Sequence, residues 1–133
     1  MLPYFRFHHI CYAVKDIEAS AKLYLEAGWL LSEVVIDSIQ NAKIAFLSKE
    51  GMPQIEFVAP VDEKSPIVKT LEKSGNSPYH ICYEVDNIDE AVADLRKQKY
   101  IKLFNPVPAV GIMNKKICYL FNAQVGLIEI VEA

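Results

Sequence analysis

Two histidines and two glutamates sit in strand-like runs of apolar residues, where a titratable side chain is costly to bury. His9 and His80 open the hexapeptides HICYAV and HICYEV, 71 positions apart. Glu56 and Glu129 occupy the middle of IEFV and IEIV. Alternate residues of a strand share a face, so Glu56 points away from Ile55 and Phe57, on the side of Val58, and Glu129 sits the same way between Leu127 and Val131. A carboxylate covered there without a partner costs several kcal/mol or stays protonated. Imidazole and carboxylate suit Zn, Ni, Co, Fe or Mn, and four such ligands leave water or substrate positions on an octahedral ion. The pattern predicts an N2O2 site for a divalent cation built from His9, Glu56, His80 and Glu129.

A plainer reading covers part of this pattern. Lys43 and Lys116 also repeat, and each could form a cross-strand ion pair with the glutamate of its own hairpin. That accounts for the glutamates and leaves the histidines unexplained. His8 competes with His9 as a ligand, but its counterpart in the second half is Tyr79, so the repeat favours His9.

The elements that must position these residues are themselves duplicated, a pattern that decides the fold before any single motif does. After each hexapeptide the apolar spacing changes from strand to helix, at Ile17, Ala21 and Tyr24 and again at Ile88, Val92 and Leu95. Asp16 and the pair Asp86 and Asn87 stand where N-caps belong, and Glu90 is placed to close a capping box. Downstream, KIAFL at 43–47 answers KICYL at 116–120, and in both halves the Lys-Ile pair begins 13 positions before the Glu. KEGMP carries the Gly and Pro of a hairpin turn. LLSEVVID and YIKLFNPV each supply one further strand. The unit is strand, helix and three strands, used twice, at about 5–60 and 77–133. A linker helix over about 65–74 fits between them, with Ser65 as N-cap, Pro66 at the first helical position and Gly75 just past the end. The fold class is α+β: one domain of two tandem βαβββ modules sharing a cupped mixed sheet.

Composition narrows the function classes. With 133 residues, 52% of them hydrophobic, the chain can bury a core of its own. Net charge is −3 and no Lys/Arg run exceeds a pair, which lacks the electrostatic footprint of nucleic-acid binding. Apolar stretches fall short of the roughly 20 residues that span a bilayer, and no basic segment leads into an apolar run at the N-terminus. These features predict a cytoplasmic protein with no membrane partner. Cys11, Cys82 and Cys118 lie in apolar strands without metal-type spacing and read as buried reduced thiols. Tyr12 and Tyr83 are out of phase with the histidines and should face helices, whereas Cys11 and Cys82 are in phase with them.

The histidine-led strands and the strand glutamates resemble the vicinal-oxygen-chelate superfamily, which includes glyoxalases, bleomycin-resistance proteins and dioxygenases. Its members pair βαβββ modules into a cupped sheet around a divalent metal. The resemblance covers nearly the whole chain. SPIVKTLEKSGNSPYHICYEVDNIDEAVADL looks most like the methylmalonyl-CoA epimerase family, and the ligand set is also similar to lactoylglutathione lyase. The resemblance implies metal ligands at His9, Glu56, His80 and Glu129, and a general base at Glu129 with Glu56 as its counterpart. The ion would be Co, Ni, Zn or Mn. The resemblance also implies a homodimer acting on an acyl-CoA or a glutathione hemithioacetal. The epimerases' additional acidic base should fall near residues 37 to 41, where this chain has Ile39 or Gln40, with Asp37 close by but shifted.

Three functions follow from such a site. The first is an isomerase or lyase that removes a proton beside a metal-chelated carbonyl, as an epimerase does. The second is the lactoylglutathione lyase reaction. A protein of another class, sequestering a ligand without metal as bleomycin-resistance proteins do, would leave all four residues structural.

Overall fold

The computed structural model describes residues 2–133 and contains three α-helices and ten strands in mixed pairing, an α+β fold. The chain divides into two compact units. One is His9–Tyr79; the other joins His80–Ala133 with the N-terminal residues through His8. Strands β1 (Arg6–Ala13) and β6 (Ser77–Val85) are each cut by this division, so the units do not coincide with the sequence repeats.

In the unit of residues 9–79, β1 pairs in parallel with β5 (Ile55–Pro60), and β5 pairs antiparallel with β4 (Ala42–Ser48). The segment 30–37, expected as one strand, is two: β2 (Leu30–Leu31) and β3 (Val35–Asp37), both on β4. Ser32 explains part of the break. Its backbone N–H donates to Phe46 O at 2.8 Å while its hydroxyl accepts from Phe46 N at 2.8 Å, so a side chain replaces a backbone group in the ladder. Helix α1 (Ile17–Glu26) starts at Asp16, whose carboxylate accepts from Ala19 N at 2.9 Å. It lays Ile17 and Ala21 against Trp29, Ala45, Leu47, Phe57 and Ala59, with Tyr12 at the edge. Helix α2 (Ile67–Ser74) packs Ile67 and Leu71 on the other face, against Cys11, Ala13, Ile44 and Val58. The helix begins one residue later than expected, with Pro66, already at helical angles, in the N-cap position in place of Ser65, whose hydroxyl still accepts from Ile67 N at 3.4 Å. Gly75, with φ of 65°, closes it by donating to Leu71 O at 2.8 Å.

The other unit repeats the plan. Strand β6 pairs in parallel with β10 (Gly126–Glu132), which pairs antiparallel with β9 (Lys115–Asn122). Here too one expected strand is two, β7 (Ile101–Lys102) and β8 (Val107–Ala109), both on β9, with Pro106 between them unable to donate a backbone hydrogen bond. Helix α3 (Ile88–Lys97) is capped by Asn87, which accepts from Glu90 N at 3.0 Å. Its Ile88, Ala91, Val92 and Leu95 pack on Val85, Cys118, Leu120, Ile128 and Ile130. Phe5 stacks on Tyr83 at 4.9 Å, and Arg6 reaches Glu84 at 3.1 Å and Asp86 at 2.8 Å. All three cysteines are buried free thiols. Among the described residues, no helix is long and apolar enough to cross a membrane.

Two outcomes follow from this packing. Asn87→Ala removes the α3 cap and should lower unfolding free energy by about 1 kcal/mol, measured by urea denaturation. Cys118 lies in the α3 core with its thiol on Phe104 O at 3.2 Å, and burial pushes its pKa up to about 11, against a smaller opposing effect of Lys102. The fold therefore favours the neutral thiol. Its contribution is fully present below about pH 9, where the unfolded thiol also keeps its proton, and is lost as pH rises through about 11. The stability gap between wild type and Cys118→Ala should shrink over that interval; a constant gap would refute the assignment.

Candidate metal and catalytic site

Each unit buries one imidazole beside one carboxylate. In the unit of residues 9–79, the register of β1 on β5 sets Cys11 opposite Glu56, and His9, two residues earlier, shares that face. His9 Nε2 lies 3.4 Å from Glu56 Oε1, and the residues are 0% and 3% exposed. In the other unit, β6 on β10 sets Cys82 opposite Glu129, with His80 two residues earlier. His80 Nε2 lies 2.9 Å from Glu129 Oε2, at 4% and 3% exposure. The same local register is thus built twice, and each parallel strand pair carries a histidine and a glutamate to one face.

Helices α1 and α3 occupy the opposite face, whereas α2 packs against Cys11, Ala13 and Val58 on the face that carries His9 and Glu56. Tyr12 joins the α1 core and Tyr83 the α3 core, as their phase predicts. Cys82 points with the histidine: its thiol donates to Glu129 Oε1 at 3.6 Å, with Tyr83 O a more distant acceptor at 3.9 Å. The two Glu129 oxygens therefore differ, Oε2 beside an imidazole and Oε1 beside a thiol. Lys43 and Lys116 do not serve as ion-pair partners of these glutamates. The cross-strand partner of Glu56 is Phe46, and that of Glu129 is Tyr119, while Lys43 faces Ala59 and Lys116 faces Pro108, an odd number of residues away and on the other face.

Those two aromatics belong to the site and were not singled out from the sequence. Phe46 meets the His9 ring edge-on at 5.4 Å, and Tyr119 meets the His80 ring at 5.1 Å with the planes tilted by 51°. The signal was present: Phe46 and Tyr119 hold the same place in KIAFL and KICYL. What it lacked was the register that turns them toward the glutamates.

Asp37 is buried but committed to its own turn. Its Oδ1 accepts from Ile39 N and Gln40 N, both at 3.0 Å, and its Oδ2 from Gln40 Nε2 at 2.7 Å. Ile39, exposed, offers no acid. The turn at 37–41 thus holds no carboxylate available as a further base. The loop PAVGIMNKK forms a 3-10 turn at Val110–Ile112, followed by Met113 and Asn114 with positive φ of 54° and 60°.

The pairs fit a metal ion. Two donor atoms each about 2.1 Å from one ion lie roughly 3.0 Å apart at a right angle and roughly 3.4 Å apart at a tetrahedral angle. The observed separations of 2.9 and 3.4 Å match such an edge, so each pair is shaped as two neighbouring ligands.

Comparison with known proteins identifies the family. The family model for the Glyoxalase/Bleomycin resistance protein/Dioxygenase superfamily matches residues 8–119, and the chain belongs to that superfamily. Mitochondrial methylmalonyl-CoA epimerase of Homo sapiens is 33% identical over 132 residues, covering 96% of this chain and 74% of that protein. The crystal structure of methylmalonyl-CoA epimerase from Mycobacterium tuberculosis matches with a TM-score of 0.84 at 29% identity, over 95% of this chain and 86% of that one. A variant of the Streptomyces coelicolor epimerase in complex with 2-nitronate-propionyl-CoA matches with a TM-score of 0.82 at 25% identity, over 96% of each chain. Within the superfamily this chain is an enzyme of the methylmalonyl-CoA epimerase-like kind.

Breaking one pair tests its local energetics. His80→Ala leaves a buried carboxylate without its imidazole and should cost about 3–5 kcal/mol in chelator-treated protein. Combining it with Glu129→Leu should cost less than the sum of the single changes by about 1–3 kcal/mol in urea denaturation. Strict additivity would mean that the contact carries no coupling.

Proposed function

We propose that the chain is a divalent-metal-dependent epimerase acting on an acyl-CoA of the methylmalonyl type, with His9, Glu56, His80 and Glu129 as one donor set for a single ion. The observation that carries this reading is the buried His–Glu pair built twice in one register. A single buried pair would suit a structural role. Two copies offer two imidazole nitrogens and two carboxylate oxygens, a set that suits Co, Ni, Zn or Mn. The epimerase relatives favour this reading over the lactoylglutathione lyase reaction and over metal-free sequestration.

When bound, a divalent ion draws charge from the carbonyl oxygens it ligates and so lowers the cost of losing the proton on the carbon between them. The chain's own residues do the rest. Glu129 is the first base. With Oε2 beside His80 and Oε1 toward Cys82, it can keep one oxygen in the donor set while the other accepts the proton. The C–H bond breaks, its electron pair moves onto the thioester carbonyl as an enolate, and the proton resides on the carboxylate. For inversion Glu56 must enter as the carboxylic acid: it protonates the opposite face, becomes the carboxylate, and the proton held on Glu129 then passes to solvent. If the proton on Glu129 instead trades with solvent and returns to the same face, the hydrogen is exchanged and configuration retained. All four residues are buried, at 0–4% exposure, which strengthens the field each imposes on a bound group. A cytoplasmic homodimer completes the reading, with sedimentation as the check on assembly.

The test begins with chelator-stripped protein titrated with Co, Ni, Zn and Mn. About one ion per chain should bind, and Glu129→Gln should weaken binding. Metal-loaded protein should then exchange the α-proton of methylmalonyl-CoA with solvent deuterium, while stripped protein should not. Turnover of the glutathione hemithioacetal of methylglyoxal without that exchange would replace this reading with the lyase. Tight ligand binding with no metal would replace it with a sequestering protein.

A further inference from the structure

The starts of α1 and α3 are built alike and finished differently. Asp16 and Asn87 cap them through their side chains, on Ala19 N at 2.9 Å and Glu90 N at 3.0 Å, and their carbonyls take Ser20 N and Ala91 N, both at 3.1 Å. In α3 one more backbone donor is satisfied: Ile88 N donates to Glu132 Oε2 at 2.9 Å. The residue of α1 that answers Ile88 is Ile17, and the residue of β5 that answers Glu132 is Ala59, each lying three beyond the strand glutamate of its own half. A methyl group cannot replace that carboxylate. On β5 the one acid is Glu56, which faces the other way, so Ile17 N has no side-chain acceptor on that strand.

The truncation leaves space. A cavity of about 220 Å³ opens at the start of α1, against Ile17, Ala59 and Pro60. Two lysines line it: Lys15, just before the helix, and Lys43, the cross-strand neighbour of Ala59. Among the described residues neither ammonium forms an ion pair. Val34 and Ile36 add an apolar wall. Backbone donors at a helix start, two cationic side chains and a cavity together suit an anion, and the other unit supplies one from within its own chain. From Cβ outward, the Glu132 side chain has the skeleton of propionate. Asp16 and Glu18 border the same cavity, so two acids already stand against the two lysines. That balance favours a single carboxylate over a doubly charged phosphate.

We propose that this cavity is a binding site for a small organic monocarboxylate, whose carboxylate accepts from Ile17 N and pairs with Lys15 and Lys43 while its aliphatic part lies on Val34 and Ile36. The ligand takes the place that Glu132 fills in the other unit. The site is independent of the metal-ligating face, because Ala59 packs in the α1 core.

The test follows the backbone amide resonances of the full chain during separate titrations with propionate, propanol and inorganic phosphate. The Ile17 amide should move to saturation with propionate, respond less to phosphate and ignore propanol. Lys15→Gln and Lys43→Gln should each weaken propionate about two- to fivefold at low salt. Ala59→Glu should fill the cavity from within and abolish the response. The Ile88 amide, already bonded to Glu132, should stay still in wild type and begin to respond to propionate in Glu132→Ala. Tighter binding of phosphate than of propionate overturns the assignment of ligand class. No saturable response at Ile17, or propionate affinity unchanged in both lysine variants, overturns the site itself. Should Ala59→Glu not fold, the lysine variants and Glu132→Ala decide the matter alone.

Discussion

A carboxylate in the middle of a covered strand must be compensated, and this chain meets that demand twice. Glu56 and Glu129 are 3% exposed, each with an imidazole within 3.4 Å or less. An uncompensated charge there costs more than several ordinary core contacts return. The rest of each unit serves this placement. Parallel pairing of β1 with β5, and of β6 with β10, puts histidine and glutamate on one face. The antiparallel partner β4 or β9 then adds an aromatic ring against each imidazole. Helices α1 and α3 cover the other face with apolar side chains.

The division of faces is written in the phase of the hexapeptide. In HICYAV and HICYEV the His and Cys alternate with Ile and Tyr, and the structure sends the first pair toward the carboxylates and the tyrosines toward a helix. Cysteine suits the position beside the glutamate. It is small enough to let the carboxylate approach, and its thiol is a weak donor that holds an oxygen without neutralising it.

How much could be read in advance follows from what each residue's information depends on. Repeats, caps and apolar periodicity are local, and they placed all three helices, the two histidine strands and the two glutamate strands. The strands flanking β4 and β9 each broke in two because Ser32 exchanges hydrogen bonds with Phe46 and because Pro106 has none to give, details of one residue within an otherwise apolar run. Phe46 and Tyr119 were visible as a repeat but not as site residues, since only cross-strand register reveals which face an aromatic shares. Asp37 shows the reverse case. Its type and place suggest a base, but three hydrogen bonds within four residues consume it.

The division of the chain into units bears on how it acquires its structure. The unit of residues 9–79 is contiguous, and its ladder closes over local and medium-range distances. The other must recruit the first residues of the chain: Phe5 onto Tyr83, Tyr4 onto Asp94 at 2.9 Å, Arg6 onto Glu84 across 78 positions. During synthesis the contiguous unit can assemble while its neighbour is still being made, with the leading peptide waiting for a binding place. Closing that long loop comes late and carries the larger entropic cost. A fragment cut at the sequence repeat would therefore strip the second half of a piece of its own core.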